Sequence, residues 1–314
     1  MQINTFAAYR RKLFQDGRGL MNLTALVCKK SLSYVAILTT GLCLTISVSG
    51  PAIAAHYKTK QVRIEYVLPK NPAHQSIYER LKEARVLERI QRLLSPLRLP
   101  RPLLIKVTGC DGVSNAWYDD GFVTVCYEYM AEILKNAPVG TLPSGITQQD
   151  AIIGPLLDVF LHEAGHAVFD ILQVPVFGRE EDAADMFSAY IMLLFGKEDA
   201  HRLILGSAYQ YRADIVSAQV PVALKKFADV HGIPAQRFFS LLCIAYGADH
   251  KLFADVVEKG YLPKDRAEGC DDEYEQTAFA FKKLISDSYV DKKLAKKVLD
   301  TWMRDVSARP SPRG

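Results

Sequence analysis

The chain of 314 residues is poor in several things. It has only two tryptophans, six cysteines and seven histidines. No repeat of fixed period stands out, no long linker divides the body, and no tract is of low complexity. Disorder and collagen-like or low-complexity architectures are therefore excluded. Charge of one sign is scarce as well. Beyond residue 55, acidic and basic residues balance to within one. A near-neutral body lacks the basic footprint of a nucleic-acid-binding protein, so no nucleic-acid partner is expected. The formal charge of +4 belongs to the beginning of the chain, where Arg10, Arg11, Lys12, Arg18, Lys29 and Lys30 face only Asp16. What remains is an ordinary globular composition, 49% hydrophobic and 24% charged, on a chain long enough to bury a large core.

That beginning reads as an export leader over residues 1–54. Lys29 and Lys30 precede an apolar run from Leu32 to Val48. Ser49-Gly50-Pro51 breaks the run, and Ala52-Ile53-Ala54 offers an A-x-A cleavage site before Ala55. Met21 is an alternative start. The competing reading is an uncleaved anchor, although a run of about 17 residues is at the lower limit for spanning a bilayer. Cys43 lacks the small preceding residue that lipid attachment would need. Cleavage predicts a periplasmic or secreted protein with no stable membrane insertion. The cysteines agree with export. Cys28 and Cys43 lie in the leader, and Cys110, Cys126, Cys243 and Cys270 remain. Four cysteines allow three pairings, of which the local one, Cys110–Cys126 with Cys243–Cys270, is favoured. Four buried free thiols are the alternative.

The body divides by pattern into a strand-rich part, 55–150, and a helical part, 151–314. Residues 61–68 alternate as a strand does, and 102–107 form a second. Residues 115–118 and 122–126 flank Asp119-Asp120-Gly121 and read as a hairpin. Residues 76–94 carry a helical stripe of Tyr78, Leu81, Ala84, Leu87, Ile90 and Leu94. Later helices are predicted over 127–135, 150–172, 181–195, 222–230, 235–246, 251–259, 272–285 and 291–306, with Pro155 either starting or kinking the second. Strands in front and helices behind make an α+β protein.

The decisive motif is His162-Glu163-Ala164-Gly165-His166. Histidines at i and i+4 share one helical face, and two neutral imidazoles there can reach one zinc ion. Glu163, next to the first ligand, can take a proton from a metal-activated water. With so few histidines, H-E-x-x-H arises by chance in about one such sequence in a hundred. Its setting, an apolar segment from Ile152 to Val168, suits a buried active-site helix, and a small Gly165 would leave room near a metal. The alternative is two surface histidines on an ordinary helix. A third ligand must come from elsewhere. In Arg179-Glu180-Glu181-Asp182-Ala183-Ala184-Asp185, Glu181 can complete a His₂Glu site with one open position. Asp185, one turn later, can hold the far nitrogen of His162. Glu180 and Asp182 are rivals, and the bland reading of the run is an acidic helix N-terminus.

These residues resemble the zincin peptidases that use glutamate as third zinc ligand. Asn115-Ala116-Trp117 adds to the likeness, because such enzymes carry an edge strand of this kind whose backbone pairs with an extended substrate. Most of the body further resembles a family of secreted bacterial metallopeptidases first catalogued as a domain of unknown function. The matching stretches are CDGVSNAWYDDGFVTVCYE, FLHEAGHAVFDILQVPVFGREEDAAD, HGIPAQRFFSLLCIAYG and LPKDRAEGCDDEY. The resemblance implies a zincin-like fold, one Zn2+ per chain and a peptide or protein substrate. His231, then Tyr190 and Tyr246, are candidates to assist the reaction. Arg237 reads as a carboxylate clamp or a structural ion pair. His56, His74, His201 and His250 have no spacing argument. A zinc-containing binding module of the cell envelope without turnover, and a metal-free structural protein, are the rival functions.

Overall fold

The computed structural model describes residues 61–142, 144–217 and 223–307, so the predicted leader lies outside the described residues. Its first feature is a small sheet of β1 (Val62–Tyr66), β2 (Leu103–Thr108), β3 (Ala116–Asp119) and β4 (Phe122–Cys126). The strand order is β1-β2-β4-β3. β1 pairs parallel with β2, Ile64 opposite Ile105, and β2 parallel with β4, Ile105 opposite Val123. β3 pairs antiparallel with β4, Ala116 opposite Val125 and Asp119 opposite Phe122. The predicted hairpin is closed by Asp120 (φ 36°) and Gly121 (φ 88°). Both central residues sit in the left-handed region, as the tightest hairpin turns require. β3 is thus a short edge strand at one side of the sheet. In β2, Leu103, Ile105 and Val107 are fully buried, while Leu104, Lys106 and Thr108 are only partly covered.

The predicted helix over 76–94 is broken in two: α1 (Gln75–Glu83) and α2 (Val86–Leu94). Arg85 between them is left-handed, φ 50°. The Tyr66 hydroxyl of β1 accepts the Leu87 N–H at 2.8 Å and donates to Glu88 Oε2 at 2.8 Å. A tertiary partner caps the second helix, and the apolar stripe carries no mark of that break.

The rest is α3 (Tyr127–Asn136), α4 (Gln148–Ile171), α5 (Glu180–Leu193), α6 (Lys197–Ser217), α7 (Pro234–Ala248), α8 (Cys270–Phe281) and α9 (Lys292–Ser307), with short turns between. The architecture is α+β. Of the predicted helices, 222–230 is replaced, among the described residues, by a 3₁₀ turn at Leu224–Ala228, and 251–259 shrinks to Ala254–Glu258. Pro155 does not start α4 but lies inside it; the helix begins at a capping box of Thr147 and Asp150. The unpredicted helix is α6. Its central residues, Leu203 to Ala208, are buried in succession, so it presents no single stripe to a periodicity test.

α4 is the central element. α6 crosses its N-terminal half where two glycines meet. A Cβ on Gly206 would lie 2.1 Å from the Asp150 carbonyl oxygen, and one on Gly154 2.6 Å from the Ser207 nitrogen. α5 crosses its C-terminal half at Gly165, where a Cβ would stand 3.3 Å from Ala184 Cα and from the Phe187 ring. Gly165 therefore serves the helix crossing. Arg101 and the Tyr118 hydroxyl both bond Asp170 at the end of α4, Tyr118 at 2.5 Å, and fix the edge strand to the helix. Both predicted disulfides are present. Cys110–Cys126 ties the loop before β3 to the end of β4, and Cys243–Cys270 ties α7 to α8.

Candidate metal centre

His162 and His166 project from one face of α4, and α5 brings its first turn across them. The acidic residues Glu180, Glu181 and Asp182 stand at the N-terminus of α5, where the helix dipole favours negative charge. Glu181 Oε2 lies 3.1 Å from His162 Nε2 and 3.2 Å from His166 Nε2. The two Nε2 atoms are 3.3 Å apart. Donors at about 2.0–2.1 Å around a tetrahedral zinc stand about 3.3–3.4 Å from one another, so this triangle fits one face of such a site. The other ring nitrogens are already committed. His162 Nδ1 is 2.8 Å from Asp185 Oδ1, and His166 Nδ1 is 2.7 Å from Glu180 Oε1. Both Nε2 lone pairs are thereby directed at the centre of the triangle. The donor set and its backing fit a metal ion.

Behind Asp185 stands Arg237 of α7. Its Nε and terminal nitrogen donate to the two Asp185 oxygens at 2.8 and 2.6 Å, and its guanidinium lies 4.9 Å from the centre of the Tyr211 ring. Of the two readings of Arg237, the ion pair is the one present. The order of contact is therefore Tyr211, Arg237, Asp185, His162. Glu180 fills a role for which Asp185 alone was the expected type: it backs the second histidine. Asp182 turns away and pairs with Arg179.

The electrostatics follow from these contacts. Burial favours a neutral Glu181, but hydrogen bonds from His162, His166 and His231 outweigh it and hold the carboxyl far below its ordinary range. Burial likewise lowers His162, yet Asp185 and Glu181 push it up to about 9. Asp185 drops to about 2 because His162 and Arg237 overcome the cost of its burial. Glu163 is different. It is 6% exposed, and burial raises its carboxyl despite the nearby histidines.

A cavity of about 130 Å³ opens beside the centre. Glu163 and His162 line it together with Asn115 and Ala116 of the edge-strand segment. Trp117 of that segment is 40% exposed. His231 also lines the cavity: its Nε2 is 2.8 Å from Glu181 Oε2, and its ring stacks on His162 at 6.1 Å. Two candidates do not reach it. Tyr190 packs on Tyr274 and Phe281, and Tyr246 stacks on His250. Tyr129 and Tyr211 line the cavity instead. Tyr211 lies on the unpredicted α6, and Tyr129 on α3 carries no motif, so spacing offered no signal for either. Among the other histidines, His74 packs against Tyr127, and His201 and His250 pair with Asp255 and Asp271; His56 lies outside the described residues.

With this geometry in view, comparison with known proteins gives one match. The model of the family DUF4344, described as "Putative metallopeptidase", covers residues 66–285. The chain belongs to that family. No curated protein and no solved structure matches it.

Proposed function

We propose that the protein is an exported zinc metallopeptidase of the zincin type, hydrolysing peptide bonds. The observation that carries this reading is the convergence of three donors, His162, His166 and Glu181, whose ligating atoms all lie within 4.8 Å of one another, beside a cavity lined by the buried Glu163. In this reading those three residues hold the zinc. A bound zinc would polarise a substrate carbonyl and acidify a water molecule. Glu163 is the general base. Its raised affinity for a proton suits it to take one from water and to pass it to the departing amine. Asp185 and Glu180 fix the tautomers of the two histidines, leaving each Nε2 as the donor. Asn115, Ala116 and Trp117 offer edge-strand backbone to an extended peptide. His231, at the cavity mouth, assists the developing oxyanion. Two disulfides agree with an oxidising compartment, periplasmic or extracellular.

The test is Glu163→Gln. The variant is expected to retain metal and to lose hydrolysis of a peptide library by at least about a hundredfold, the usual reach of a general base. Undiminished turnover would remove Glu163 from the mechanism. One contact favours the rival, a zinc-containing binding module: His231 is close enough to Glu181 to move onto the fourth position. That reading expects peptide binding without turnover in the wild type, and gain of an open position in His231→Ala.

A further inference from the structure

The cavity beside the metal centre contains two carboxylates that the proposed chemistry does not use. Asp158 lies one turn before His162 on α4 and is 8% exposed. Its Oδ1 accepts from the Ser188 hydroxyl at 2.6 Å, and its other carboxylate oxygen has no hydrogen-bond partner among the described residues. Asp158 contributes to the cavity wall. Asp214 of α6 lines the same cavity and accepts from Gln210 Nε2 at 3.0 Å. No cation comes within ion-pairing distance of either carboxylate among the described residues. Arg237 also lines the cavity, but its guanidinium is engaged by both oxygens of Asp185. Burial raises both carboxyls, against the opposing charge of Arg237.

His162 and His231 line it too, held by Asp185 and Glu181, and the remaining wall suits a long side chain with a charged end. Tyr129 and Tyr211 supply ring faces, and Pro155 and Val159 add apolar wall. Aromatic faces favour a cation, and a methylene stem packs on such walls. Position completes the argument. Asn115 and Ala116 line the cavity with Glu163, so an extended peptide along β3 would place one side chain next to the scissile bond into it.

We propose that this cavity is a specificity pocket for a lysine or arginine side chain beside the bond that is cut, with Asp158 and Asp214 as its acidic end. The placing of the peptide rests on the peptidase reading above; the affinity for a basic side chain does not require turnover. Two measurements separate them. Matched peptides carrying lysine, norleucine or glutamate at one position are first tested for cleavage by the zinc-loaded protein. Their binding to the zinc-loaded Glu163→Gln variant is then measured by calorimetry. Lysine is expected to exceed norleucine by at least about tenfold in kcat/KM and in affinity, the scale of one hydrogen-bonded charge, with glutamate weakest. Asp158→Asn and Asp214→Asn, made separately because a buried change can disturb folding, should each shrink the lysine-to-norleucine ratio. Tighter lysine binding without cleavage would keep the pocket and refute the peptidase. Cleavage or binding indifferent to charge, or a ratio unchanged in both folded variants, would overturn the pocket.

Discussion

The two histidines of the motif share a helix and a face, yet their surroundings are unlike. His162 is the inner one. Its side chain is 7% exposed and is backed by Asp185, which is 12% exposed and is held in turn by the partly buried Arg237. His166 is the outer one, and Glu180 behind it is 54% exposed. The contacts are of equal length, 2.8 and 2.7 Å. What differs is the medium around them. An ion pair screened by water contributes little, while a buried one is costly to break because the remaining charge cannot be solvated. The inner half of the site is therefore the costlier one to break.

Breaking the inner chain at its deepest link should have the largest effect. Arg237→Met leaves Asp185 buried beside Asp158 with its cation gone. A loss of about 3–5 kcal/mol in stability is expected, measured by chemical denaturation with the disulfides intact. Partial recovery on adding Asp185→Asn would confirm that the stranded charge, and not lost packing, is responsible. A loss like that of a surface change would show that the inner pair is solvated, and the contrast would fall.

The contrast is sharpened by a matched pair of variants. Asp185→Asn should weaken zinc binding by about 10–100-fold, the usual reach of a residue behind a metal ligand. Glu180→Gln should weaken it by less than about threefold, because water can replace an exposed partner. Competition with a chromophoric chelator measures both. Equal effects would mean that burial does not separate the two histidines.

A further effect concerns acidity. In the metal-free protein His162 holds its proton up to about pH 9, above the ordinary 6.5 of a histidine. Its raised value stabilises the metal-free fold fully below 6.5, and that contribution disappears as pH rises through about 9. Zinc must displace the same proton. Apparent zinc affinity should therefore climb between pH 6.5 and 9, and an unchanging affinity would contradict the coupling.

The same division explains what could be read from sequence. The sheet was legible because residues 61–68 alternate as a strand does and Asp120-Gly121 suits the left-handed turn between β3 and β4. The donor triangle was legible because i, i+4 spacing fixes which residues share a helix face, and Glu181 and Asp185 obey it as His162 and His166 do. Local spacing also favoured the disulfide pairs. The illegible features were those set by contacts between distant segments. Arg85 breaks a helix because Tyr66 takes over the Leu87 amide. α6 hides its periodicity because it is buried on several sides, so Tyr211 and Asp214 were not placed at the site. Gly165 stands inside the motif, but it answers to Ala184 on another helix.

The measurement that tests the central claim most directly is metal content by elemental mass spectrometry, on the purified protein and on its Glu181→Ala variant. About one zinc per chain in the former and little in the latter is the result this account predicts. A protein that takes up no zinc after mild reconstitution, or a Glu181→Ala variant that holds it as tightly, would contradict the His₂Glu site.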